Sequence, residues 1–217
     1  MNKIISGIYW VIGLINLIAH LGEWSVLNQY SKPLLMPVLL YLLYCQAQGH
    51  INLARLLLAV AIIFSWAGDV ALLFDGDLFF MLGLGAFLVA HIFYIIAMNK
   101  AVFRPLKFQI KYLWPLFLFG GILMFFIIPK TGNLVIPVCL YATCLLFMMG
   151  AAILRREKTD RDSYQWTFLG ALLFVISDSL LAVDRFAMPF DTADFLVMLT
   201  YIPAQYFIVR GILRHPG

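Results

Sequence analysis

Charge is scarce in this chain. Asp, Glu, Lys and Arg make up 12% of its 217 residues and 64% are apolar, whereas a soluble domain carries about 25% charged and roughly 45–50% apolar residues. That deficit excludes an ordinary water-soluble globule. Cysteine is also scarce: Cys45, Cys139 and Cys144 all sit inside apolar runs, which excludes a disulfide framework or a thiolate metal cage and leaves them as small core residues. Long polar segments are missing too. One crossing of the hydrocarbon takes about 20 apolar residues, so this length accommodates seven or eight crossings and almost nothing else. Appended catalytic or DNA-binding modules are excluded.

What is there is a series of apolar runs, at 4–21, 33–47, 53–74, 78–98, 113–129, 134–154, 166–183 and 195–209. An isolated strand cannot satisfy its backbone in lipid. The runs therefore predict an all-α integral membrane protein of eight helices, a single transmembrane domain over 1–217. The first run follows Lys3 as a signal peptide would, but it has no clean small-x-small cleavage site before Glu23 and is read as helix 1. The second is short and carries Pro37; Lys32, snorkelling at one end, lets it span.

Lys and Arg are divided unevenly between alternate loops. Twelve of the fifteen, among them Lys3, Arg55, Lys100, Arg104, Lys107 and Arg155, fall on one side, and only Lys32, Lys130 and Arg185 on the other. The positive-inside rule then puts both termini in the cytoplasm and the acidic connections Asp75-Gly76-Asp77 and 184–194 outside. A bacterial inner membrane suits this pattern. The net charge of +4 is mostly this topogenic bias, so the expected partner is the bilayer, with attraction to anionic lipid, and no nucleic acid.

The two halves also resemble one another. Pro37-Val38-Leu39-Leu40-Tyr41 in helix 2 parallels Pro137-Val138-Cys139-Leu140-Tyr141 in helix 6. Asp69 precedes Asp75 by six residues, and Asp178 precedes Asp184 by six. These matches predict a four-plus-four repeat with halves 1–105 and 106–217. A pseudo-twofold along the membrane normal would then make helices 3 and 7 equivalent.

Few ionisable groups lie inside the spans: Asp69, His91 and Asp178, with His20, Glu23 and Lys32 near the outer boundary. A mid-helix carboxylate costs about 2.5–3.5 kcal/mol on insertion scales, which makes two of them candidates for function rather than interhelical tethers. Helix rise puts both at roughly 7–8 Å below the outer end, with His91 roughly 10 Å deeper on a pocket wall. Polar stripes accompany them. Ser65 and Asp69 share a face of helix 3; Gly170, Phe174, Ser177, Asp178 and Leu181 follow one face of helix 7; Thr200, Tyr201 and Gln205 follow one of helix 8; Gly83, Phe87, His91 and Tyr94 line helix 4. These faces predict a shared interior cavity. Two scattered histidines do not make a zinc site, so no metal is expected.

The blocks Ser65-Trp66-Ala67-Gly68-Asp69, Gly83, Phe87, His91 and Tyr94, Gly170 through Ser177-Asp178, and Ala204-Gln205 resemble the YhhN/TMEM86 family of lysoplasmalogenases over helices 2 to 8. The resemblance implies an eight-span enzyme that hydrolyses the vinyl ether of lysoplasmalogens to a fatty aldehyde and a glycerophospho-ethanolamine or -choline. It implies Asp69 and Asp178 as the family's two aspartates and Lys32 as the lysine that opens helix 2. Asp184 stands where the family pattern leads one to expect Asn, adding negative charge at the pocket mouth.

The chemistry of the residues agrees with that expectation. Vinyl ether hydrolysis needs an acid that protonates carbon and a base for the captured water, without metal, cofactor or covalent nucleophile. Two carboxyls supply both, with either one in either role. Lys32 is the expected phosphate anchor. Ser65, Tyr94, Ser177, Tyr201 and Gln205 are the expected polar wall, and the alkyl chain would run past Phe87, His91 and Phe174. Among other classes, a proton-coupled transporter would use the same two aspartates. An intramembrane aspartyl protease fits poorly, because Trp66-Ala67-Gly68-Asp69 lacks Gly-x-Gly-Asp.

Overall fold

Asn2, Asn52 and Asp160 each stand one residue before a helix and accept a backbone N–H from its first turn through the side chain. They start three of the eight long helices of the computed structural model, which describes residues 2–47, 52–102 and 110–214. In chain order these are α1 (Lys3–Leu21), α2 (Ser25–Ala47), α3 (Leu53–Ala71), α4 (Asp77–Lys100), α5 (Ile110–Ile127), α6 (Val135–Leu154), α7 (Arg161–Ala182) and α8 (Ala193–Arg214), with a π-helical turn over Val183–Ala187 after α7. The described residues contain no strand. Among them, seven helices are long and apolar enough to cross a membrane. The protein is thus a multi-pass helical membrane protein. The remaining long helix is α2.

α2 corrects the expectation of a short second helix. It starts at Ser25, eight residues before Pro33, and runs for 23 residues. Its first two turns are polar because Ser25, Asn28, Gln29 and Lys32 face an internal cavity rather than lipid. Lys32 therefore lies in the helix interior and does not open it. Asn16 of α1 fastens this segment by donating to Asn28 Oδ1 at 2.9 Å and Ser31 Oγ at 3.0 Å. α2 also passes through Pro33 and Pro37. Pro37 has no N–H to give to the carbonyl of Pro33, and the Trp66 indole of α3 donates to that oxygen at 2.9 Å instead.

The closest helix packing is within the pairs α3/α4 and α7/α8, and small residues make it possible. A Cβ on Gly170 of α7 would lie 2.6 Å from Ile208 N and 2.8 Å from Ala204 O of α8; one on Gly211 would lie 2.5 Å from Thr167 N. Between α3 and α4 the chain turns at Gly76 with φ 109°, a conformation that costs glycine little.

At the opposite end of the bundle, Arg155 departs from its expected place among the solvated loop cations. It is fully buried. Its guanidinium donates to Met98 O at 2.8 Å and Ser163 Oγ at 2.9 Å, and Ser163 donates to Gly211 O at 2.6 Å. It thus satisfies a carbonyl of the last turn of α4 and joins it to α7 and α8. Arg104, Lys107 and the 105/106 boundary between the expected repeat halves lie outside the described residues.

Candidate functional site

The two membrane aspartates come from different helix pairs and meet in one cavity of about 420 Å³. Asp69 occupies the last turn of α3, two residues before its end, and Asp178 lies four residues before the end of α7. The helices end at unequal distances beyond them, yet both carboxyls reach the same space. Asp69 is 1% exposed and accepts a bond from Tyr201 Oη at 2.9 Å. Behind it, Gln205 Nε2 donates to Tyr201 Oη at 3.0 Å and Tyr94 Oη donates to Gln205 Oε1 at 2.5 Å. Three side chains therefore hold one carboxyl in a fixed direction. Asp178 accepts from Tyr141 Oη of α6.

Of the expected wall, Lys32, Phe87, Ser177 and Tyr201 line the cavity with the aspartates. Ser65, His91, Tyr94, Phe174 and Gln205 do not; all five are buried beneath it. Aromatic packing is the reason. Phe174 stands edge-on to Tyr201, Phe87 and His91 with ring centroids 5.5, 6.2 and 4.8 Å apart, and His91 lies 5.3 Å from Tyr141. This cluster packs beneath the cavity, so His91 and Phe174 lie under its floor rather than among its lining residues. Both ring nitrogens of His91 are without a hydrogen-bond partner among the described residues. No group of three or more His, Cys, Asp or Glu among those residues is placed to hold a metal ion.

The mouth is polar. His20, Asp184, Arg185 and Asp194 border it. Asp184 accepts from Phe190 N at 3.1 Å, shaping the loop after α7. Arg185 pairs with Asp77 at 2.5 Å and lies over the Phe80 ring, 4.9 Å from its centroid. Tyr141 and the stripe Ser25, Asn28 and Gln29 are site residues not anticipated from sequence. The stripe has a helical signal, since positions 25, 28, 29 and 32 follow the spacing i, i+3, i+4, i+7. Tyr141 had none beyond its place in the repeat.

Fold and site together define a polytopic membrane protein with a paired-aspartate cavity near one end of its helix bundle. A family model described as the YhhN family matches residues 27–212, from the first turn of α2 to the last of α8, and the chain belongs to that family. It is similar to the human protein named lysoplasmalogenase TMEM86B, at 33% identity over 160 residues that cover 74% of this chain and 65% of that protein. The mouse protein of the same name is 29% identical over 181 residues, 83% of this chain and 74% of its own. A lysoplasmalogenase of Mycobacterium tuberculosis is 30% identical over 136 residues, 61% of this chain and 50% of its own. The match thus spans less than two thirds of the human relative's length. No solved structure gives a significant match.

Proposed function

We propose that the protein hydrolyses the vinyl ether of lysoplasmalogens, releasing a fatty aldehyde and a glycerophospho-alcohol. The observation that carries this reading is the convergence of Asp69 and Asp178 on one cavity that Lys32 also lines; the names of the relatives supply the substrate class. One carboxyl gives its proton to the vinyl carbon remote from oxygen, producing an oxocarbenium ion. Water adds to the cationic carbon as the other carboxylate takes up a proton, and the resulting hemiacetal breaks its C–O bond to aldehyde and alcohol. The remaining negative charge stabilises the cation.

The same reading includes eight crossings of the cell membrane, both termini in the cytoplasm, and a four-plus-four repeat. Lys3 and Arg214 line a single pocket, which supports termini on one side. Exchange of the halves pairs α4 against α6 with α8 against α2, and both pairs are in contact.

Purified protein incubated with a lysoplasmalogen, a diacyl-type plasmalogen and an ester lysolipid tests the proposal by mass spectrometry of products. Aldehyde is expected from the lysoplasmalogen, little from the two-chain lipid and none from the ester, which has no protonatable double bond. Equal rates on vinyl ether and ester would sink the mechanism. No product from any of them would return the aspartates to proton-coupled transport.

Lys32 is half-buried at the cavity wall, where an ammonium meets a lipid phosphate in ground and transition states alike. Lys32→Gln is expected to raise KM more than it lowers kcat. Steady-state kinetics decide this: unchanged KM with collapsed kcat would move Lys32 into the chemistry.

A further inference from the structure

A second cavity, of about 460 Å³, lies at the opposite end of the bundle, between the first turns of α1 and the last of α8. Tyr201 of the aspartate site and Arg210 of this pocket are nine residues apart on α8, about 13 Å along the helix. Lys3, Arg210 and Arg214 line it, with Trp10, Gln46 and Tyr206, and no carboxylate is among its lining residues.

The three cations differ in how they are satisfied. Arg214 is bound to Asp162. Lys3 is exposed, with no acidic partner among the described residues. Arg210 is the unusual one. It is half-buried, its guanidinium carbon lies 4.1 Å from the Trp166 ring centroid, and its Nε is shut off from water without a hydrogen-bond partner among those residues. Nε of Arg155, at the same end of the bundle and more deeply buried, is shut off in the same way, but its two terminal nitrogens donate to Met98 O and Ser163 Oγ. Nε alone therefore does not set Arg210 apart; what does is that no hydrogen bond or ion pair joins its guanidinium to another described residue although it lines the cavity. Tyr206 is held for the same space, its ring stacked on Tyr9 at 5.5 Å between centroids.

We propose that this pocket binds the phosphate of an anionic lipid. Lys3 and Arg210, beside an Arg214 already paired with Asp162, fit an anion, and the planar guanidinium suits phosphate oxygens. Trp10 and Trp166 belong to the residue type that settles at headgroup level, which places the phosphate at the membrane surface rather than in water. Basic pockets between membrane helices are suited to such headgroups. The site is separate from the aspartate cavity and stands whether or not the protein hydrolyses vinyl ethers.

Native mass spectrometry of the purified full chain in detergent, titrated with phosphatidylglycerol, phosphatidylcholine or inorganic phosphate, tests this. Phosphatidylglycerol is expected to be retained in preference to phosphatidylcholine. Arg210→Gln and Lys3→Gln should each weaken its retention about fivefold and leave phosphatidylcholine unchanged. Lys3 is exposed at the start of α1, so its variant carries the test if Arg210→Gln fails to fold. Arg156→Gln, at the same end but outside the pocket, should retain the lipid as the wild type does. Equal retention of the two lipids would overturn the proposal, as would an equal loss in Arg156→Gln, which means diffuse charge. A response to inorganic phosphate without one to phosphatidylglycerol would overturn the lipid as its source.

Discussion

Asp69→Asn and Asp178→Asn should each lose about 10²–10⁴-fold in vinyl ether hydrolysis, the usual contribution of a general acid or base, while inserting and folding as the wild type does. Asn keeps the size of Asp and an oxygen that accepts a hydrogen bond, so the Tyr201 contact to position 69 and the Tyr141 contact to position 178 both survive. What disappears is the capacity to give or take the proton. Aldehyde release measured on matched, monodisperse preparations reads the effect. The double variant should be little worse than either single one, because acid and base act as a unit and their losses do not add. If either single variant kept more than about a tenth of wild-type turnover, that residue would leave the catalytic pair.

Gly170→Ala should be among the most destabilising methyl additions in the bundle, together with Gly211→Ala, whose Cβ would lie 2.5 Å from Thr167 N. Alanine normally improves a helix by roughly 1 kcal/mol over glycine. At Gly170 the new Cβ would meet main-chain atoms of α8 at 2.6 and 2.8 Å, and backbone cannot swing aside as a side-chain tip can. Overpacking of this kind costs about 1–3 kcal/mol. Separating α7 from α8 also separates Asp178 from Tyr201, so activity should fall with stability. Gly85→Ala is the internal comparison: nothing lies within 4 Å of its added Cβ, and it should be neutral or stabilising. Thermal unfolding in detergent with both variants side by side decides it; equal midpoints would contradict the close packing of α7 on α8.

Helix existence was readable because lipid leaves the backbone no other option, and seven of the runs end within a few residues of the observed helices. α2 was misjudged because hydropathy counts only what faces lipid, and its first two turns face a polar cavity. The meeting of Asp69 with Asp178 was foreseeable from their rarity and matching positions near helix ends. The fate of His91 was not. Depth along α4 is a property of sequence, but whether Phe174 fills the space above His91 depends on how α7 is rotated against α4, and stripes of one helix do not fix the rotation of another. Tyr141 escaped notice for a similar reason, since its hydroxyl gains meaning only when α6 lies beside α7.

The hydrogen bond from Tyr201 to Asp69 joins residues 132 positions apart, and this has a consequence for biosynthesis. During translation α3 enters the membrane long before α8 exists, so the Asp69 carboxyl must wait in or near lipid without the phenol that later holds it. A polar group stranded there is costly, and its relief arrives with the docking of α8 rather than with the insertion of α3. A nascent chain halted before Tyr201 is therefore expected to leave Asp69 without the partner that holds it in the finished bundle.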